Sequence, residues 1–551
     1  MSKEVCRVAI VDALGSGSEV RYSSKDAIGC GPRRIAGVLE SKGLAVRVFL
    51  AEDLISKPSL ADDSDLLMVS AMSLDKDAAH RIVSAWRKRH GGKPAIIGGP
   101  IASEPEDLLA SGYDVVVSGE GENSLLALLQ SGLGNGSLPM KFRQTIISNG
   151  VAHKAGIESH TRPLFSEYSQ KSYADEHELL DKYCSSTNCV KDYPAYRALK
   201  FYVEVVRGCS NFLRTSIPLP SGRKCLECGK CREGKLEDRI QCPVDIPPGC
   251  GFCAVPSLYG YPRSRDRGKI AEEVTELVRA GIRRIVLSAS DFLDYQREKL
   301  VATGPLTDPR YPHPNTSEID GLLSRLSSIQ QKLNISEKDY VYISVENIKP
   351  CLFNDEVASI IAEYLPGSTI HLGCETGSEE HSAKLGRPST PSQTLAAAKT
   401  ASRHGLRPYV YFIHGLPGQT AETARETVDL MREMVNANVE KLTIYKFKPL
   451  PLSAFAEFPP APPAKRDKNS RKIEKAARKL NVASKFRLLG KTLDVVASGS
   501  VREARRKGTI AYPVSEGPVV LLPNKFNREG ERLKVKITGV LSDRLVEGEA
   551  P

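Results

Sequence analysis

Seven of the thirteen cysteines in this chain fall between Cys209 and Cys253. Cys250 and Cys253 form a CxxC in the run Cys250-Gly251-Phe252-Cys253, and Cys209 follows the strand-like phrase Val205-Val206-Arg207-Gly208. Between them lie Cys225, Cys228, Cys231 and Cys242, spaced C-x2-C-x2-C-x10-C with Pro243 after the last. Such spacing gathers thiolates around a small centre, and soft sulfur ligands select iron–sulfur clusters or zinc over hard cations. Seven cysteines divide as three plus four. Three protein thiolates leave one iron of a 4Fe–4S cluster open to a substrate, and four close a centre completely. The three read as a catalytic cluster on Cys209, Cys250 and Cys253, with Cys242 as the alternative first ligand. The four read as an auxiliary 4Fe–4S cluster or a structural zinc site.

An odd, unevenly clustered cysteine total argues for metal rather than disulfides. The 551 residues give room for about three or four domains. A hydrophobic content of 41% is ordinary for a core-forming protein. No apolar run approaches the ~20 residues of a membrane span. Met1-Ser2-Lys3-Glu4-Val5 carries no signal-peptide pattern. The expected location is therefore cytoplasmic, with no membrane partner. A net charge of +11 permits a polyanionic partner.

Two regions of alternating strands and helices must position these residues. Residues 1–135 place strand-like runs at 8–11, 46–50, 65–70, 95–98 and 115–118, with helix-like runs between. That alternation predicts a Rossmann-like parallel sheet. Gly98 and Gly99 fall at a strand end, where a missing side chain lets a ligand approach. Residues 136–197 read as a connector with short strands. Residues 198–450 alternate again and predict a full or partial β/α barrel, its active site at the strand C-ends and its cysteine-rich insertion at 210–249. Residues 451–488 read as a proline-rich and basic linker, with ten Lys or Arg against two acidic residues between Lys465 and Arg487. Short alternating strands over 489–551 predict a small all-β barrel. The fold class is α/β, closed by that barrel.

Over residues 198–450 the chain resembles the radical S-adenosylmethionine (radical SAM) superfamily. The usual CxxxCxxC motif follows the first barrel strand; here its first gap is forty residues. The run from Cys250 to Pro256, then Tyr261-Pro262-Arg263-Ser264-Arg265, is similar to the CxxCxxPxxRGxxRSR stretch of methylthiotransferases. Gly373-Cys374-Glu375-Thr376-Gly377-Ser378 resembles the GxExGS strand, and Gly415-Leu416-Pro417-Gly418-Gln419-Thr420 the GLPGQT segment. The resemblance implies S-adenosylmethionine on the open iron of a 4Fe–4S cluster. One electron from a donor such as a ferredoxin or flavodoxin would cleave it to methionine and a 5′-deoxyadenosyl radical. It also implies Phe252 beside the adenine and Ser288 and Ser290 near the methionine part. Glu346 and Asn347 would reach the ribose or substrate, with Glu375 as a further contact.

The N-terminal region resembles the cobalamin-binding-like domain that precedes many such barrels, on Gly29-Cys30-Gly31-Pro32-Arg33-Arg34-Ile35-Ala36-Gly37 and Gly98-Gly99-Pro100. The DxHxxG motif is absent, and Val11-Asp12-Ala13-Leu14-Gly15 has no histidine in place. Cobalamin would bind without a histidine ligand or not at all. The tail resembles an RNA-binding TRAM domain, on Tyr512-Pro513-Val514-Ser515-Glu516-Gly517-Pro518 and Val535-Lys536-Ile537-Thr538-Gly539-Val540. Lys465, Arg466, Arg471, Lys472, Arg478 and Lys479 are the candidate phosphate contacts. Together the resemblances imply modification of RNA, tRNA first, by methyl or methylthio transfer. The alternatives are a radical SAM methylase of a protein side chain or small metabolite, and a metal-stabilised RNA-binding protein without catalysis.

Overall fold

Strand β1 (Arg7–Asp12) buries every residue after its first, as a strand covered on both faces must. The computed structural model describes residues 6–13, 26–133, 138, 142–148, 151–154, 178–302, 304–503, 506–523 and 529–550. The expectations for Met1 to Val5, for Leu14 and Gly15 and for connector residues 155–177 lie outside the described residues. Contacts divide the chain chiefly at Tyr202/Val203 into two compact units.

The first unit holds β1, β2 (Ala27–Ile28), β3 (Ala45–Leu50), β4 (Leu66–Ser70), β5 (Ala95–Gly98), β6 (Val115–Ser118), β7 (Thr145–Ser148) and β8 (Val151–Lys154). Its sheet runs in the order β3-β1-β4-β5-β6-β7-β8. The β7–β8 pair is antiparallel and the others are parallel. This is the doubly wound layout that the alternation predicts. Its core includes Val11, Val69, Ile82, Trp86, Ile97 and Val116.

The second unit carries the cysteines. Its strands are β9 (Lys200–Arg207), β10 (Arg263–Ser264), β11 (Arg284–Ala289), β12 (Tyr342–Val345), β13 (Thr369–Glu375), β14 (Arg407–His414) and β15 (Lys441–Lys446). One sheet includes the order β10-β9-β11-β12 and another β13-β14-β15. A single bridge, Ile348 to Leu372, joins them, which makes an open arc, a partial β/α barrel. Strand β12 begins at Tyr342, after a turn over Glu337–Asp339 and its cap at Tyr340.

Five more strands close the chain: β16 (Thr492–Glu503), β17 (Arg506–Pro513), β18 (Val519–Leu522), β19 (Arg532–Val540) and β20 (Leu545–Glu549). They form a closed barrel in the order β16-β17-β18-β20-β19, around Val495, Ala511, Val520, Val535, Ile537 and Val546. This barrel meets the starts of the arc's strands. Arg407 at the head of β14 donates to Ser515 O and, at 3.1 Å, to Glu516 O. The Arg532 guanidinium lies 3.9 Å from the Tyr340 ring centroid.

Half of the basic segment read as a linker is an ordered helix, Lys468–Lys485, which buries Ser470, Ile473, Ala477, Asn481 and Lys485. Asn481 clamps it to β15 by accepting from Leu442 N (2.9 Å) and donating to Leu442 O (2.7 Å). Proline punctuation hides this helix from a residue-by-residue reading. Its i, i+3, i+4 burial is what fixes it in place. Among the described residues, no helix is long and apolar enough to cross a membrane.

Candidate active site and cysteine centres

Gly208 ends β9 with φ +89°, and a Cβ there would lie 2.2 Å from Tyr261 O, so only glycine fits. Cys209 N then donates to Gly260 O (3.1 Å). The insertion closes on itself through Gly249 N to Leu213 O (2.8 Å) and Arg214 Nε to Ile246 O (2.7 Å). That closure returns Cys250 to the end of β9. Asn211 touches both sulfurs: its N–H donates to Cys209 Sγ (3.4 Å) and its Nδ2 to Cys250 Sγ (3.3 Å). Cys253 N donates to Cys250 O (2.8 Å) and turns the CxxC. Cys209, Cys250 and Cys253 thus meet across forty intervening residues, whereas Cys242 lines a different cavity with Cys225, Cys228 and Cys231.

Burial, reinforced by the neighbouring cysteines, pushes the thiols of Cys209 and Cys253 up to about 11 and about 12. A metal centre must displace those protons to bind. Among the described residues, no three His, Cys, Asp or Glu side chains converge as ligands of a single ion. The donor set, three soft sulfurs at the C-end of the first arc strand, fits a four-iron cluster with one iron left open.

Gly251 shapes the loop. Its N donates to Leu385 O (2.8 Å), its O accepts from Phe455 N (2.8 Å), and a Cβ would lie 2.4 Å from the Phe455 ring. Phe252, half-buried, packs against the apolar core of Ile217, Leu385, Leu416 and Phe455. Ser288 Oγ donates to Glu346 Oε2 (2.7 Å), pairing the ends of β11 and β12. Asn347 donates to Ala289 O (3.2 Å) and has φ +38°. Ser290 is half-buried just beyond β11. Glu375 is buried with φ +68° at a bulge in β13, and burial raises its carboxyl above the usual range. Left-handed backbone at two non-glycine strand ends is strain of the kind held at functional sites.

Two features escape the sequence reading. Arg387 sits with Nη1 3.6 Å from Cys250 Sγ and 3.4 Å from Glu375 Oε1, while Nη2 donates to Gly373 O. Its buried Nε has no hydrogen-bond partner among the described residues, an orphan donor beside Cys250. Beside Cys209, Lys349 Nζ donates to Ser210 Oγ (2.8 Å), Asp291 Oδ2 (2.9 Å) and Asp294 Oδ2 (2.7 Å). Arg297 completes this buried network on Asp294. Asp291, Asp294 and Lys349 all follow strand ends, a positional signal that spacing alone does not single out.

In the first unit the expected ligand-facing residues contact the protein itself. A Cβ at Gly99 would lie 2.6 Å from Ala71 O, and one at Gly98 3.3 Å from Val117 O. Neighbouring backbone thus occupies the place a side chain would take at each glycine. Arg34 pairs with buried Glu122 (2.8 Å), and Arg33 donates to Ser186 O (3.2 Å). Asp12 accepts from Tyr193 OH (3.1 Å). His80 is hydrogen-bonded to Asp107 (2.8 Å) and His90 stacks on Trp86, and both lie on the helix Lys76–His90 rather than at a strand end. Lys465, Arg466, Arg471, Lys472, Arg478 and Lys479 are all exposed.

Residues 242–431 match the model of the radical SAM superfamily. The chain is 41% identical over 548 residues to the uncharacterized protein MK0932 of Methanopyrus kandleri, covering 98% of this chain and 95% of that one. It is 25% identical over 320 residues to the ribosomal protein uS12 methylthiotransferase RimO of Thermus thermophilus, covering 55% and 68%. Among solved structures, the radical S-adenosylmethionine methyltransferase TsrM of Kitasatospora setae, with cobalamin and a [4Fe-4S] cluster bound, is similar in fold. Its TM-score is 0.55 at 14% identity, covering 82% of this chain and 77% of that one.

Proposed function

This chain belongs to the radical SAM superfamily, among enzymes with methyltransferase and methylthiotransferase relatives, and from that premise we propose that it transfers a methyl or methylthio group to RNA, with tRNA the first candidate. Cys209, Cys250 and Cys253 hold the cluster. When bound, the cluster and S-adenosylmethionine supply reductive cleavage of a carbon–sulfur bond, with the electron drawn from a small ferredoxin or flavodoxin. Arg387 sets its positive charge against Cys250 and offers Nε into the site. Phe252 forms an apolar wall for the adenine. Ser288, Ser290, Glu346, Asn347 and Glu375 present polar groups from neighbouring strand ends.

The observation that carries the RNA reading is the helix Lys468–Lys485. Its buried face is clamped on β15 by Asn481, and Arg471, Lys472, Arg478 and Lys479 project from it into solvent. Nearby on β15, Tyr445 is 54% exposed and stacks on Tyr411, with Lys446 also exposed. Cations beside an exposed ring suit phosphates and an unstacked base. The closed barrel, read as a TRAM domain, meets the starts of the arc's strands, and the cysteine triad lies at their ends. A strand rises about 3.3 Å per residue, so a substrate touching both ends spans roughly 20–25 Å. A folded RNA does so and a metabolite does not.

Mass spectrometry of tRNA and rRNA nucleosides from cells with and without this gene tests the reading. Loss of one methylated or methylthiolated nucleoside is expected, and its mass names the group. Cobalamin retained through anaerobic purification would favour methyl transfer. The name of the RimO relative supports a second reading, a protein side chain as acceptor. Unchanged nucleosides with a changed ribosomal-protein mass would establish that reading instead.

A further inference from the structure

Cys225, Cys228, Cys231 and Cys242 line one cavity of about 290 Å³, together with Arg214, Leu226, Lys230 and Pro243. Two left-handed residues, Glu227 (φ +52°) and Gly229 (φ +71°), fold the C-x2-C-x2-C run around it. Glu227 N donates to Cys225 Sγ (3.4 Å), an amide–sulfur contact of the kind that tunes iron–sulfur centres. The short helix Lys230–Glu233 carries Cys231, and Lys230 is braced by Asp238 (2.9 Å).

Arg214 is the informative residue. It is 6% exposed, and its guanidinium donates to Ile246 O (2.7 Å), Arg239 O (2.9 Å), Ile240 O (3.0 Å) and Phe212 O. Its side chain lines the same cavity as Cys225, Cys231 and Cys242. A buried guanidinium needs a counter-charge, and carbonyl oxygens alone do not supply a full one. Four cysteine thiolates around a cationic centre carry net negative charge and answer that need.

The choice between one ion and a cluster rests on spacing. Three cysteines with two residues between each, and a proline directly after the fourth, follow the C-x2-C-x2-C…C-P order of ferredoxin cluster ligands, and all four line one cavity. We propose that Cys225, Cys228, Cys231 and Cys242 hold a second, fully ligated four-iron cluster, with Arg214 as its buried charge partner. It is a centre distinct from the Cys209/Cys250/Cys253 site and independent of the RNA reading.

The test is iron, sulfide and zinc analysis of the full-length protein purified anaerobically, with electron paramagnetic resonance after reduction. About eight irons per chain are expected in the native protein, in two signals, of which one changes on adding S-adenosylmethionine. Replacing Cys209, Cys250 and Cys253 by Ala should leave about four irons and the unresponsive signal. Replacing Cys225 and Cys228 by Ala should remove that signal and keep the responsive one. Native protein with about four irons and one zinc would overturn the proposal, as would a single signal that responds fully to S-adenosylmethionine. In either case the catalytic cluster would stand. Loss of the responsive signal alone from the Cys225/Cys228 variant would overturn the proposal too, because it would make those cysteines the S-adenosylmethionine-binding centre. The native counts serve even if a variant fails to fold.

Discussion

The guanidinium of Arg387 lies 3.6 Å from the sulfur of Cys250, although 137 positions separate the two residues in the chain. The same fork reaches Gly373 O and Glu375. Lysine keeps the charge but has no fork to make three contacts at once. Arg387→Lys is expected to lower formation of 5′-deoxyadenosine by about 10–100-fold, the cost of losing a partner that orients a metal ligand. Iron content and a single-turnover assay measure it. An unchanged rate would mean that Arg387 does not act on Cys250.

Lys349 is the cation of a buried cluster of charge. Removing one partner from such a cluster leaves uncompensated charge, at about 3–5 kcal/mol. Lys349→Met is therefore expected to destabilise the protein by about that amount, leaving Asp291 unpaired while Arg297 still holds Asp294. Changing Asp291 to Asn together with Lys349→Met should recover part of the loss. Denaturant titration compares the two, and equal stability for both variants would contradict the pairing.

Lys485 gives a prediction in pH. Burial, helped by Lys441, lowers its ammonium to about 8. The unfolded value is about 10.4, so below about 8 both states carry the proton and the buried charge weakens the fold in full. Between about 8 and 10.4 the unfolded state binds more protons, and the penalty fades as pH rises. Lys485→Met should raise the melting temperature by a few degrees at pH 7, and the gain should shrink towards pH ~10.4. A gain that stays constant over this range would exclude the titration.

Much of this was legible in residue order. The hydrophobic runs set most strands of both sheets, because a strand covered on both faces must be apolar throughout. The three-plus-four division of cysteines follows from spacing, yet spacing left Cys209 and Cys242 as rivals. In the structure Cys209 shares Asn211 with Cys250 while Cys242 lines another cavity, because the hydrogen bonds of Gly249 and Arg214 close the insertion into a loop. Arg387 and Lys349 were invisible, since each reaches its partners only after distant strand ends come together. Gly98 and Gly99 show a related gap: a glycine marks close approach, but its sequence does not say which neighbour approaches, and here a Cβ would meet the backbone of Val117 and Ala71. Strands β17 and β20 are the least legible in the tail, because basic residues in one, and glycine and glutamate in the other, interrupt their apolar pattern.

The account centres on a cluster held by Cys209, Cys250 and Cys253, and S-adenosylmethionine cleavage tests it most directly. Anaerobic, iron-loaded protein is reduced with S-adenosylmethionine, and 5′-deoxyadenosine is quantified for the native chain and for Cys209→Ala. The account predicts product from the native protein and none above background from the variant. Native-level product from Cys209→Ala would contradict it and move the first ligand elsewhere in the insertion.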